Sequence, residues 1–344
     1  MTSNTPVAVV GFGAEIVSRG DGRSDAELLA PAVERALEGS GVDPAQVDVL
    51  CTAGSEFLGG VVGGIMGAFD AFPGWPPRSH SHLEGDGAFA FHEAWIRLLA
   101  GEGRTALVCA FSRPSAADPV SVLALQDDPY VVAPLGIQPA TLAALQARAL
   151  IDAGKWTEDD FARVVAARRP GIASRGHVLD RPYRSSPLRE LDCSTVCAGA
   201  AAVVLAAGEA ASSAHRRPAW IRGVAQQLET QSLGSRDLTQ SISTAALSTR
   251  LGIAGAGLDV LEVHAPYSHQ ELILVDAIAA AGRVALNPSG GALPADPIMA
   301  TGLVRIGHAA DAIMSGAATR AVGHATNGAC LQHNLLCLME AVEK

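Results

Sequence analysis

The chain repeats itself, and the repeat limits the folds open to it. In the first half an apolar strand at Val7 to Gly11 leads to the helical run LLAPAVERALEGSGVDPAQ and then to VDVLCTAGSE. In the second half a strand at Trp220 to Val224 leads to ISTAALSTRLGIAGAG and then to LDVLEVHAPYS. Both copies reach an Asp-Val-Leu strand after a helix that ends in glycine-rich turns, and both continue into a loop and another helix. A duplicated α/β unit needs the same sheet twice, with the apolar faces of the two copies covering one another. The repeat therefore predicts two halves, residues 1–212 and 213–344, each built on a mixed sheet of about five strands, with apolar helices packed between the sheets.

Apolar spacing fills in the elements. A helix is expected over Ala26–Gly39, a strand at Asp48–Cys51, a glycine-rich helix over Phe57–Phe72, a polar turn at His80–Asp86, a helix over Gly87–Ala100 and a strand at Thr105–Phe111. From about Ser112 to Pro187 the rhythm breaks into Pro, Asp and Arg, with helical pieces at Ala140–Ala153 and Glu158–Arg169. This stretch reads as an excursion from the main sheet rather than a domain of its own.

Composition narrows the class. With 49% hydrophobic residues, 17% charged, 4% aromatic and 36 glycines in 344 residues, the chain is suited to close-packed layers of short side chains and to a substantial subunit interface. A net charge of -10 and no concentrated basic cluster argue against nucleic acid as a partner. The most apolar run, Phe57 to Phe72, holds five glycines and an aspartate and is too short for a membrane span. The start of the chain reads as a first strand, not a signal peptide, and the six cysteines do not form a disulfide framework, so a cytoplasmic protein is expected.

The stretch Leu258 to Gly302 gathers the groups that could carry chemistry. A strand ends on a turn bearing His264, an apolar helical run follows, and an Asn-Pro-Ser-Gly-Gly loop leads to Ala295-Asp296-Pro297. Two ionisable side chains thus stand at loop positions beside buried elements, a common way to build a site on a rigid frame. Asn287, Gly290 and Gly291 suit a loop that needs positive φ. Upstream, in LEGDGAFAFHEAW, Asp86 can cap the helix beginning near Gly87. No group of His, Cys and acidic residues has a metal-ligand spacing, so no metal is expected.

On these residues the sequence resembles the thiolase superfamily, and within it the lipid-transfer-protein, sterol-carrier-associated branch. The resemblance spans nearly the whole chain. It is carried by LNPSGGALPADPIMATG, by LEVHAPYS, by DCSTVCAGAAAVVLAAGEA and by GHATNGACLQHN. It implies a five-layered α-β-α-β-α fold of duplicated halves, an oligomer formed with itself or with another thiolase-like subunit, and coenzyme A thioesters as substrates with no further cofactor. The family's nucleophilic cysteine falls at Glu84, with Gly87 keeping the glycine that follows it. The histidine of the family's His-Asp-Ala-Phe turn matches His264, with Tyr267 later in the same turn. The Gly-His-Pro histidine falls at Asp296, and the acid–base cysteine near the C-terminus falls at His324. Asn287, Gly290, Gly291 and Tyr267 are expected to shape the substrate loop.

A carboxylate at position 84 cannot carry an acyl group as a thiolate does, so thiolysis is not expected. Glu84, His264, Asp296 and His324 are suited to moving protons. Members of the branch without the cysteine include steroid side-chain aldolases that work with a small partner carrying an OB-fold and a zinc ribbon, which implies retro-aldol cleavage of a β-hydroxyacyl-CoA in lipid or steroid side-chain breakdown. The other reading is a catalytically degenerate subunit that supports an active homologue in a hetero-oligomer.

Overall fold

A computed structural model describes residues 5–17, 22–59, 65–74, 76–114, 118–130, 132–172 and 174–342. The first half runs β1 (Val7–Val17), α1 (Asp25–Ser40), β2 (Val49–Gly54), α2 (Glu56–Gly59), α3 (Ile65–Ala71), β3 (Ser79–Glu84), α4 (Gly87–Leu99) and β4 (Thr105–Ser112). An excursion follows: α5 (Pro119–Leu125), α6 (Pro139–Asp152), α7 (Glu158–Arg168), α8 (Arg175–Leu179) and the short strands β5 (Tyr183–Ser185) and β6 (Leu188–Arg189). The chain returns in β7 (Ala198–Ala207) and α9 (Glu209–Ala214). The second half is β8 (Ala219–Leu228), α10 (Ile242–Arg250), β9 (Val260–Glu262), α11 (Ser268–Ile278), β10 (Ala285–Leu286), α12 (Thr301–Met314), β11 (Arg320–Asn327) and β12 (His333–Glu340).

Strand order makes the duplication explicit. Ten strands run β10-β9-β11-β12-β8-β1-β7-β4-β2-β3 from edge to edge. Read outward from the middle, β1-β7-β4-β2-β3 and β8-β12-β11-β9-β10 are one pattern, with the same parallel and antiparallel pairings at each step. Only two residue pairs, Ala8 with Trp220 and Val9 with Ala219, join β1 to β8. Packing, more than strand pairing, must therefore hold the halves together.

Alternation along β1 shows how the layers arise. Ala8 and Val10 face one way, onto Leu28, Leu29, Ala32 and Ala36 of α1. Val7 and Val9 face the other way, into a central cluster with Ala88, Phe91 and Leu98 of α4 and Leu303, Ile306 and Ile313 of α12. Across that cluster, Ala321, Leu335 and Cys337 of the second half close the layer. The far face of the second half buries Ala225, Leu261, Val322 and Leu336 against Leu247 of α10 and Ile273 and Leu274 of α11. The sequence of layers is thus helix, sheet, helix, sheet, helix, as the resemblance implies.

Two local expectations are corrected. His80–Asp86 is not wholly a turn, because Ser79–Glu84 form a parallel edge strand on β2. With a partner on one side only, the polar alternation of SHSHLE is tolerated there. The glycine-rich helix expected over 57–72 appears as α2 and α3, and residues 60–64 between them lie outside the described residues.

Candidate active site

The helices of the central layer start beside one another, and Asp86 ties them together. As N-cap of α4 it accepts the backbone N–H of Ala88 through Oδ1 at 2.8 Å, and through Oδ2 it accepts the N–H of Gly302 in the first turn of α12, also at 2.8 Å. The approach requires glycine at 302, where an added Cβ would lie inside Asp86 Oδ1 and 2.5 Å from Ala325 Cβ. Burial, reinforced by the neighbouring Asp296, pushes the Asp86 carboxyl up to about 7 despite the amide donors.

Asp296 is held as firmly. Ser194 Oγ donates to its Oδ2 at 2.6 Å and Thr301 Oγ1 to its Oδ1 at 2.7 Å. Burial raises its carboxyl, while these two hydroxyls and Arg305 pull it back. The segment bearing Ser194 is clamped by Ser194 N to Pro266 O at 2.7 Å and by the paired backbones of Thr195 to Cys197 with Asp296. Ser194 therefore belongs to the site, although the motif around it, DCSTVC, singles out no role for it.

His264 stands at the end of β9 with Nε2 3.9 Å from Asp296 Oδ1, while its Nδ1 is buried without a partner. Burial, with the Arg305 guanidinium nearby, lowers the ring to about 3, so it is neutral at physiological pH. His324 lies behind it. Asn334 Nδ2 donates to Leu331 O at 2.7 Å, which leaves Asn334 Oδ1 to accept from His324 Nε2 at 3.1 Å. His324 Nδ1 is then the acceptor for the His264 backbone N–H at 3.3 Å. Both ring nitrogens of His324 are thereby occupied, and its place is to hold the His264 turn.

A cleft of about 370 Å³ opens onto Asp86, Ser194, His264, Tyr267 and Asp296, with apolar walls that include Leu142 and Met299. Glu84 is not brought to this group. It ends the edge strand, exposed, and its Oε2 accepts the backbone N–H of Glu56 at 3.1 Å, whereas Asp86, two residues on, lines the cleft. Asn287 does not reach the cleft either. At φ 44° it accepts Val263 N–H at 2.7 Å and donates to Glu271 at 2.7 Å, fixing the loop on which Gly290 and Gly291 take φ of 103° and 73°. Cys330 is a wall residue of the cleft, but burial raises its thiol to about 12 and its Sγ donates to Leu142 O at 3.3 Å.

No family model matches the chain. Over its whole length it superposes on the solved structure of an Ltp2–ChsH2(DUF35) aldolase, with a TM-score of 0.78 at 19% identity, 100% of both chains being covered. Human mitochondrial 3-ketoacyl-CoA thiolase gives a TM-score of 0.79 at 15% identity over 98% of this chain and 99% of its own. The fold is that of the thiolases. In sequence the chain is similar to the acetyl-CoA acetyltransferase of Methanocaldococcus jannaschii, at 24% identity over 88% of each chain, and to that of Methanothermobacter thermautotrophicus, at 22% over 90% of each. The thiolase-like character read from the motifs is thus supported by both fold and sequence. No helix among the described residues is long and apolar enough to cross a membrane.

Proposed function

We propose that this chain cleaves a carbon–carbon bond of a β-hydroxyacyl-CoA by a retro-aldol reaction. The observation that carries the reading is the carboxyl pair Asp86 and Asp296, facing one cleft beside a neutral His264. In this reading Asp86, raised to about 7, takes the proton of the β-hydroxyl. The Cα–Cβ bond then breaks, its electron pair moves into the thioester as an enolate, and an aldehyde or ketone leaves. His264, with its proton on Nε2, is assigned to donate to the enolate oxygen, and Asp296, 3.9 Å from that nitrogen, to favour this tautomer. Return of the proton from Asp86 to Cα gives the shortened acyl-CoA. Ser194 and His324 act as positioning residues.

Several similarities support the coenzyme A thioester. The sequence relatives are described as acetyl-CoA acetyltransferases, and a structural neighbour with a TM-score of 0.77 is a 3-ketoacyl-CoA thiolase in complex with CoA. The Ltp2–ChsH2 similarity supports an aldolase that works in a complex, and so a hetero-oligomer; the small OB-fold and zinc-ribbon partner and a lipid or steroid side chain as the acyl part are what the motif resemblance implies. The test is incubation with β-hydroxyacyl-CoA thioesters, steroid ones included, alone and with co-purified partners. Release of an aldehyde or ketone is expected. No release with the partner present would sink the reaction and leave the catalytically degenerate subunit as the reading to pursue.

A further inference from the structure

Gln270, in the first turn of α11, is a wall residue of the cleft and is buried to 3% exposure. Its amide has one possible orientation, fixed from a distance. Gln146 Nε2 donates to Leu238 O at 3.2 Å and to Cys330 O at 3.4 Å. Carbonyls only accept, so the other end of the Gln146 amide must be its oxygen. That oxygen lies 3.0 Å from Gln270 Nε2 and 3.1 Å from His269 Nε2, and both must donate to it. Gln270 is therefore left with Oε1, which is buried and has no partner. An unmet acceptor at a cleft wall favours a ligand that brings a donor, since a ligand that displaces water there must replace its hydrogen bond.

We propose that Gln270 Oε1 is a specificity-determining acceptor, selecting ligands that present an O–H or N–H to this wall of the cleft. The inference rests on the reading of the cleft as an acyl-CoA site and deepens it. Two donors on such a ligand have the right chemistry: the β-hydroxyl of the acyl part and an amide N–H of the pantetheine arm. Gln146, held by Leu238 and Cys330 and shared with His269, is the positioning residue that leaves this oxygen, and not the amide nitrogen, without a partner.

The experiment measures binding by isothermal titration of CoA, a saturated acyl-CoA and the 3-hydroxyacyl-CoA of equal chain length to wild type and Gln270→Met. If the hydroxyl is the donor, wild type prefers the hydroxylated ligand by roughly tenfold and the variant loses that preference. If the pantetheine amide is the donor, the variant binds all three more weakly by a similar factor. A folded Gln270→Met that binds all three as wild type does overturns the inference. The same contact is read without altering the protein by deleting donors from the ligand. Removal of the hydroxyl, or N-methylation of the pantetheine amides, weakens binding to wild type, and no loss from either overturns the inference alone. Wild type that binds none of the thioesters overturns the acyl-CoA reading and this inference with it.

Discussion

Asp86 accepts the backbone N–H of Gly302, 216 residues further along the chain, at 2.8 Å, so one carboxylate caps a helix from each half of the molecule. Replacing it removes two caps at once. Asp86→Ala is expected to lower stability by about 2 kcal/mol, at roughly 1 kcal/mol per cap, as measured by urea unfolding. Asp86→Asn keeps one acceptor oxygen and should lose about half as much stability. If Asp86 is the base, both variants lose carbon–carbon cleavage, and wild-type turnover by Asp86→Asn would remove it from that role.

The buried ionisable groups set opposite slopes of stability against pH. Burial lowers His264, His269 and His324 to about 3, below the ordinary histidine value of 6.5, so between these limits the unfolded chain binds protons that the folded chain refuses. Stability therefore falls as pH drops from about 6.5 towards 3. Asp86 works the other way. With a folded value of about 7 against an ordinary 3.8, it is protonated in the fold and ionised in the unfolded chain, and its contribution declines as pH rises through that window. Acid titrations of unfolding free energy should show the histidine loss as dominant, and steeper in Asp86→Asn. A wild type equally stable across this range would contradict the assignment.

The thiols should be inert. All six cysteines are free and buried, and burial raises Cys193, Cys197 and Cys330 to about 12. The thiolate is the reactive species, so iodoacetamide at neutral pH should leave the native protein unmodified by mass and its activity unchanged. Rapid labelling of Cys330 with loss of activity would point back to thiol chemistry in the cleft.

The seat of Asp86 can be tested from the other side. Gly302→Ala puts a methyl group against Asp86 and Ala325. Overpacking of this kind costs about 1–3 kcal/mol, visible as a lower urea midpoint. A Gly302→Ala protein of unchanged midpoint would mean that the two helix starts can move apart freely.

Paired substitution tests the cleft chemistry. His264→Ala with Asp296→Asn should reduce cleavage by about 10²–10⁴-fold, the range for a lost proton-handling group. Ser194→Ala leaves Asp296 one donor poorer, so a smaller loss is expected, with the pH profile shifted upward. Full activity in the double variant would exclude both residues from the reaction.

The sequence carried the frame better than the site. Apolar periodicity and the repeated Asp-Val-Leu strands are local patterns, and they disclosed the two halves and most helices. Asp86 was legible as a helix cap because it directly precedes Gly87, yet matching to the nucleophile's place pointed to Glu84. Two residues apart, they would share a face if the strand ran on, and only the end of β3 at Glu84 and the start of α4 at Gly87 show that Asp86 turns inward as the cap. Ser194 was not legible. Its meaning depends on Asp296, 102 positions away, being folded against it. The role of His324 likewise depends on Asn334 and on a backbone N–H, neither of which has a signature in a string of letters.

The tight central layer also bears on how such a chain can change over evolutionary time. An added methyl at Gly87 would press within 2.9 Å of Leu303 Cβ, and one at Gly323 within 2.6 Å of the Ile306 backbone, so drift in the frame is opposed at every close approach. Positions 86, 264 and 296 lie at a helix start, just past a strand end and in a loop, where the cleft meets the frame. On such a scaffold the groups lining the cleft can differ while the frame stays fixed, and here two carboxyl groups face the cleft of a fold shared with thiolases.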